Sequence, residues 1–73
     1  MDKETFMKTL GYEIYKRRMA RGWTQKVLAD FAQISTASIN QYESRTSIPS
    51  ALALCNIADA LECTVHDLLG RSN

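Results

Sequence analysis

Thr36, Ala37, Asn40 and Gln41 are the residues of this chain whose types and spacing best suit a chemistry. At about 100° per residue they fall together on one side of a short helical segment, opposite Ile39 and Tyr42. A merely solvated helix face more often carries Lys and Glu. Short uncharged amides and hydroxyls suit another task. An Asn or Gln amide bonds adenine N6 and N7 as a pair, and Thr or Ala methyls touch the thymine methyl. No Ser/His/Asp set, activated cysteine, phosphate loop or pocketed carboxylate pair accompanies them, so an enzyme is not expected. A metal site is not expected either, because His66 is the one histidine and no CxxC pair is present. Cys55 and Cys63 sit among apolar residues and read as two buried thiols, and His66 reads as solvated.

The elements that must position these residues are all helical. From about Lys3 to Ala20, Phe6, Leu10 and Ile14 recur at four-residue spacing with Met7 beside them, and Arg18 continues the row at the edge of the core. Gly22 ends this helix. Thr24 caps a second helix running to about Ala32, with Val27, Leu28 and Phe31 as its apolar positions. Ala29 and Ala32 are small and let another helix approach. Gln33 and Ile34 form a turn, and Ser35 caps a third helix running to about Ser44. Pro49 opens a fourth, from about Ser50 to Leu61, with Leu54, Ile57, Ala58 and Leu61 on one stripe. Thr64, with Asp67 three residues on, caps a last short helix that Gly70 ends. No strand pattern, repeat or long linker is visible. The stretch from Gln25 to Ser44 therefore has the layout of a helix-turn-helix.

Seventy-three residues allow one domain, 1–73. A chain of this size buries only about 60% of its unfolded surface and is helped by a partner. No apolar run approaches the ~18 residues of a membrane span, and the charged start MDKETFMK does not suit a secretory signal, so the expected place is the cytoplasm. The net charge is only +1, but the charges are segregated. Lys16, Arg17, Arg18, Arg21, Lys26 and Arg45 face only Asp30 and Glu43 within their stretch. From Thr46 to Gly70 no Lys or Arg balances Asp59, Glu62 and Asp67. A basic half that contains the polar helix face points toward nucleic acid.

In one register and without a gap, the chain resembles the phage repressor and Cro type of helix-turn-helix protein (Xre-like), from roughly Leu10 to Leu69. That family wants Gln where Gln25 stands and alanine where Ala29 stands. It wants apolar residues at Leu28, Ala32, Ile34, Ile39 and Tyr42. Ile14, Arg18, the GWTQ turn, Glu43, Pro49-Ser50, the Leu54 to Leu61 run and Leu68-Leu69 also fit. The resemblance implies an all-α, five-helix lambda-repressor-like DNA-binding domain. Thr36, Ala37, Gln41 and Asn40 would face base edges. Gln25, Lys26, Ser38, Arg45 and Thr46 would contact phosphate, and Gln25 would also steady the first residue of the reading helix. Arg18 and Glu43 would form a salt bridge that positions the reader. The family often has glycine where Gln33, Arg45 and Glu62 stand, so these turns either carry strain or adopt other geometries.

The expected function is sequence-specific DNA binding by a transcriptional regulator, a repressor acting as a homodimer on an inverted repeat. Its reading helices would lie about 34 Å apart. No residue follows Asn73, so the dimer is expected to come from the domain itself, with Ile48, Leu52, Val65 and Leu69 as candidate contacts. Phe6 and Met7 extend past the minimal family domain and read as added core rather than as a dimer contact. No cofactor or small-molecule ligand is expected. The alternative is a protein-interaction module or antitoxin-type partner of the same fold, which would favour an apolar outer face on the third helix.

Overall fold

The computed structural model describes residues 1–71. Among these residues the chain forms five helices and no strand: α1 Lys3–Ala20, α2 Gln25–Ala32, α3 Thr36–Glu43, α4 Ala51–Ala60 and α5 Val65–Leu68. No helix among them is long and apolar enough to cross a membrane.

Every helix starts at an oxygen-bearing side chain that accepts a hydrogen bond from an otherwise orphaned N–H. Asp2 caps α1 through Thr5, and Thr24 caps α2 through Val27. Ser35 caps α3 through Ser38, and Ser50 caps α4 through Ala53. Thr64 and Asp67 close a reciprocal capping box on α5. Backbone N–H bonds, from Thr5 to Asp2 and from Thr64 to Asp67, hold both carboxyls below their ordinary pKa of 3.8. A depressed folded-state pKa means the cap is fully present above that ordinary value. It is lost as pH falls through the lowered one.

The helices also end alike. Each is followed by a residue with positive φ: Gly22 at 70°, Gln33 at 59°, Arg45 at 65°, Glu62 at 54° and Gly70 at 71°. The next N–H reaches back five residues to a helix carbonyl, from Trp23 to Arg18, Ile34 to Ala29, Thr46 to Gln41, Cys63 to Ala58 and Arg71 to His66. This is the Schellman closure. Gln33, Arg45 and Glu62 thus take the strained alternative, at about 1 kcal/mol each.

α2 packs on α3 and α4, α1 packs on α3 and α5, and α4 packs on α5. The core they enclose comprises Leu10, Ile14, Leu28, Ala29, Ala32, Ile39, Tyr42, Ile57, Ala58, Leu61 and Leu68, with Phe6 against it. Leu10, Ile14, Leu28, Ile39, Ile57 and Leu68 are fully enclosed. Each contributes about 1.5–3 kcal/mol by burial.

Two sequence expectations are corrected here. Phe31 is 63% exposed. The α2 seam runs through Leu28, Ala29 and Ala32, and Phe31 stands one position around the helix. Its ring stacks on Trp23, with centroids 4.7 Å apart and 17° between the planes. Cys55 is exposed and Cys63 only half-buried, both as free thiols. Cys55 shares the outer side of α4 with Ala51 and Leu52, so apolar neighbours in sequence do not enclose it. Burial pushes the Cys63 thiol pKa up.

Gly11 marks the closest approach of two helices. It is buried on α1, and a Cβ there would stand 2.8 Å from the Tyr42 carbonyl oxygen and 3.2 Å from that of Glu43. In an open helix interior Gly→Ala gains roughly 1 kcal/mol. Here backbone opposes the methyl, and overpacking of this kind costs about 1–3 kcal/mol. Gly11→Ala is expected to lower the thermal midpoint by several degrees in calorimetry. A raised midpoint would mean that α1 and α3 separate freely.

Candidate nucleic-acid interface

The position of α3 is set by a connected set of polar contacts. Arg18 donates from Nε to Glu43 Oε2 at 2.7 Å and from Nη2 to Glu43 Oε1 at 2.9 Å. The fork geometry of guanidinium and carboxylate makes this a bidentate pair. Its third nitrogen, Nη1, donates to the Trp23 carbonyl oxygen at 2.7 Å, in the turn between α1 and α2. Both side chains are buried, 9% and 8% exposed. The hydrogen bonds that Arg18 donates to Glu43 raise the Arg18 pKa against the desolvation that lowers it. The guanidinium also lies over the Tyr15 ring, 5.5 Å from its centroid.

Gln25, the first residue of α2, extends this network. Its Nε2 donates to Glu43 Oε1 at 3.2 Å, and its Oε1 accepts from Asn40 Nδ2 at 3.4 Å. Gln25 therefore bears on the second half of α3, while the first residue of that helix is held by its own cap. A helix of eight residues presents about two turns, so contacts at Asn40 and Glu43 orient all of it.

The outer side of α3 is open. Thr36, Ala37, Asn40 and Gln41 are all exposed, while Ile39 and Tyr42 are buried behind them. The face holds two amides, one hydroxyl and two methyls, and no charge. Ser38 is half-buried, and its hydroxyl lies 2.8 Å from that of Ser35. Thr46 is exposed, and its hydroxyl donates to the Gln41 carbonyl oxygen at 3.3 Å. Lys26 is exposed and pairs with Asp30 at 3.0 Å on the α2 surface. Exposed pairs of this type are worth about 0–1 kcal/mol, so the ammonium leaves Asp30 readily for a phosphate.

Arg45 follows α3 and is exposed. Among the described residues no carboxylate pairs with it, whereas Glu62, at the matching place after α4, is bonded by Arg21 at 3.2 Å. Arg45 lines two open clefts. One, of about 350 Å³, lies between α1 and α3 and includes Tyr12, Tyr15, Gln25, Asn40 and Glu43. The other, of about 390 Å³, is lined by Arg45 with Thr5, Lys8, Thr9 and Tyr12 of α1.

Sequence reading passed over Gly11, Lys8, Tyr12 and Tyr15. Gly11 carries a signal, because glycine within a helical pattern costs stability unless a neighbour comes close. The other three carry none, since their place beside Arg45 arises only when α1 crosses α3.

Comparison with known proteins gives three findings. A family model described as Helix-turn-helix matches residues 14–68. Over 55 residues the chain is 42% identical to a protein of Vibrio cholerae serotype O1 described as the cryptic phage CTXphi transcriptional repressor RstR. That match takes in 75% of this chain and 49% of the relative, so the chain spans about half the relative's length. The crystal structure of a hypothetical transcription factor NHTF from Neisseria has a TM-score of 0.85 and 22% identity, covering 94% of this chain and 79% of that one. At that identity the likeness is one of fold.

Two variants separate the positioning network from the strained turn. Glu43→Gln leaves the Arg18 charge buried without its counter-ion, and breaking such a pair costs about 3–5 kcal/mol. Small domains hold a total of about 5–15 kcal/mol, so the urea midpoint should fall steeply. A loss below about 1 kcal/mol would place the pair in the class of surface ion pairs. Arg45→Gly relieves the positive φ and should raise the unfolding free energy by about 1 kcal/mol, read as a higher urea midpoint. A drop would mean that the Arg45 side chain stabilises the fold by more than its backbone strain.

Proposed function

The chain belongs to the helix-turn-helix family, and we propose that it is a sequence-specific DNA-binding transcriptional repressor. It acts as a homodimer on an inverted-repeat operator, with α3 of each copy in the major groove. The observation that carries this reading is the outer face of α3. A helix held rigidly by Arg18, Glu43 and Gln25 presents Thr36, Ala37, Asn40 and Gln41 to solvent with nothing covering them. Rigid placement matters because base readout depends on hydrogen-bond geometry of a few tenths of an ångström.

Each residue then takes a role. Gln41 and Asn40 read base edges by amide hydrogen bonds, Thr36 and Ala37 meet thymine methyls, and the Thr36 hydroxyl accepts from exocyclic amines. Asn40 does so while its amide is steadied by Gln25. Gln25, Lys26, Ser38, Arg45 and Thr46 hold phosphates on either side of the groove, and so fix register without reading sequence. The exposed apolar side chains Ile48 and Leu52, 45% and 72% exposed, supply the dimer contact, with Val65 and Leu69 half-buried beside the last turn. An interaction module of the same fold would want an apolar outer face on α3, and this face is polar.

Selection of operators from a random duplex library at about 0.15 M salt tests this reading. An enriched inverted repeat is the expected result, and an unenriched pool would refute it. On the selected operator, Gln41→Ala should weaken binding by about 1–3 kcal/mol and relax the preference at one base pair. Unchanged preference at every position would remove Gln41 from the reading set.

A further inference from the structure

We infer that α1 carries a second phosphate-binding site, formed by Lys8, Thr5, Thr9 and Tyr12 together with Arg45, and that it grips a backbone phosphate of the same duplex. The inference rests on the DNA reading above and adds a contact surface to it.

The cleft these residues line, about 390 Å³, has two cations and three hydroxyl-bearing side chains and no carboxylate on its walls. Such a lining attracts an anion and gives nothing to a cation. Neither Lys8 nor Arg45 has an ion-pair partner among the described residues, although Lys16, Arg17, Arg18, Arg21 and Lys26 all have one. Glu4, the nearest acid along the chain on the Thr5 side, neither lines the cleft nor pairs with Lys8, and the Asp2 carboxylate is engaged by the Thr5 N–H at 2.7 Å. Two unpaired cations on one cleft repel each other, and an anion seated between them removes that repulsion and adds charge-assisted hydrogen bonds.

Arg45 gives the cleft its direction. It is the left-handed residue of the Schellman closure of α3, held at φ 65° where glycine would sit without strain. Backbone strain retained at a side chain with no partner in the fold points to a role outside the fold. Arg45 also lines the neighbouring cleft with Gln25 and Asn40 at the reading helix, so the two clefts form one continuous track. A phosphate backbone passing α3 at Arg45 therefore meets Lys8 and Tyr12 next. Thr5, Lys8, Thr9 and Tyr12 stand three or four residues apart and so share one side of α1, with Thr9 half-buried and the other three exposed. All four lie before Ile14, outside the stretch that the family model matches.

Ethylation interference on the selected operator tests the site. Duplexes sparsely ethylated at phosphates are partitioned by wild type, Lys8→Gln and Tyr12→Phe. One or two phosphates should block wild type when ethylated and lose that effect with Lys8→Gln, while the remaining positions and the base preference stay unchanged. Lys8→Gln should also lower the slope of log K against log salt by about one, and weaken binding roughly fivefold at about 0.15 M salt. Lys8 is exposed, so the thermal midpoint serves as a folding control and should not move. Identical interference patterns and slopes in wild type and Lys8→Gln would overturn the site and leave the reading of DNA by α3 standing. Saturable binding of inorganic phosphate at Tyr12, seen by NMR, with an unaltered interference pattern would assign the cleft to a free anion and overturn the backbone contact. Failure of wild type to enrich any duplex would overturn both readings.

Discussion

The buried pair between Arg18 and Glu43 is the contact on which the placement of α3 depends. One guanidinium reaches three elements: α1 that bears it, the turn before α2 through Trp23, and the end of α3 through Glu43. Hydrophobic packing alone does not set the axial rotation of an eight-residue helix well, because apolar contacts are non-directional. A bidentate pair with fixed donor geometry does set it. The desolvation of two charges makes such a pair weak as a source of net stability and strong as a source of specificity in placement. Gln25 extends the same control into α2, so that the two helices of the motif move as one body.

The second constraint is the way the helices are joined. Five short helices in 71 described residues leave little chain for loops, and each helix must turn sharply at both ends. Side-chain caps start them and left-handed Schellman closures end them. Glycine does this without strain at two of the five ends. At the other three a longer side chain accepts the strain. Glu62 binds Arg21 and ties the end of α4 to the end of α1. Arg45 brings a cation to the rim of α3. Gln33 sits in the motif's own turn, exposed, and the structure shows no contact that offsets its strain.

Charge placement decides what the surface can meet. The net charge of +1 is a poor guide, because acids and bases are paired unequally. Glu13 absorbs Lys16 and Arg17, and Glu43 absorbs Arg18. What remains without a carboxylate on the side of α3 is Arg45, with Lys8 across the cleft. A weakly charged protein can in this way hold a focused positive track, since local fields depend on where charges are left unpaired more than on their sum.

Much of this protein is legible in its residues. Periodicity, cap residues and terminal glycines place all five helices within about a residue of their observed ends, because those signals act over four or five residues and need no tertiary partner. The polar outer face of α3 is legible for the same reason. Which apolar side chains are enclosed is less so. Phe31 and Cys55 lie in apolar stretches and still face outward, since the seam of a helix depends on which neighbours reach it. The left-handed φ at Gln33, Arg45 and Glu62 is not dictated by their residue types. The approach of α1 to α3 at Gly11 and the meeting of Lys8 and Tyr12 with Arg45 join residues more than thirty positions apart. Local sequence rules carry no information over that distance. The sequence by itself determined the elements and the chemistry of the outer face of α3; only the tertiary structure decided its rotation and the clefts beside it, because both arise where separate helices cross.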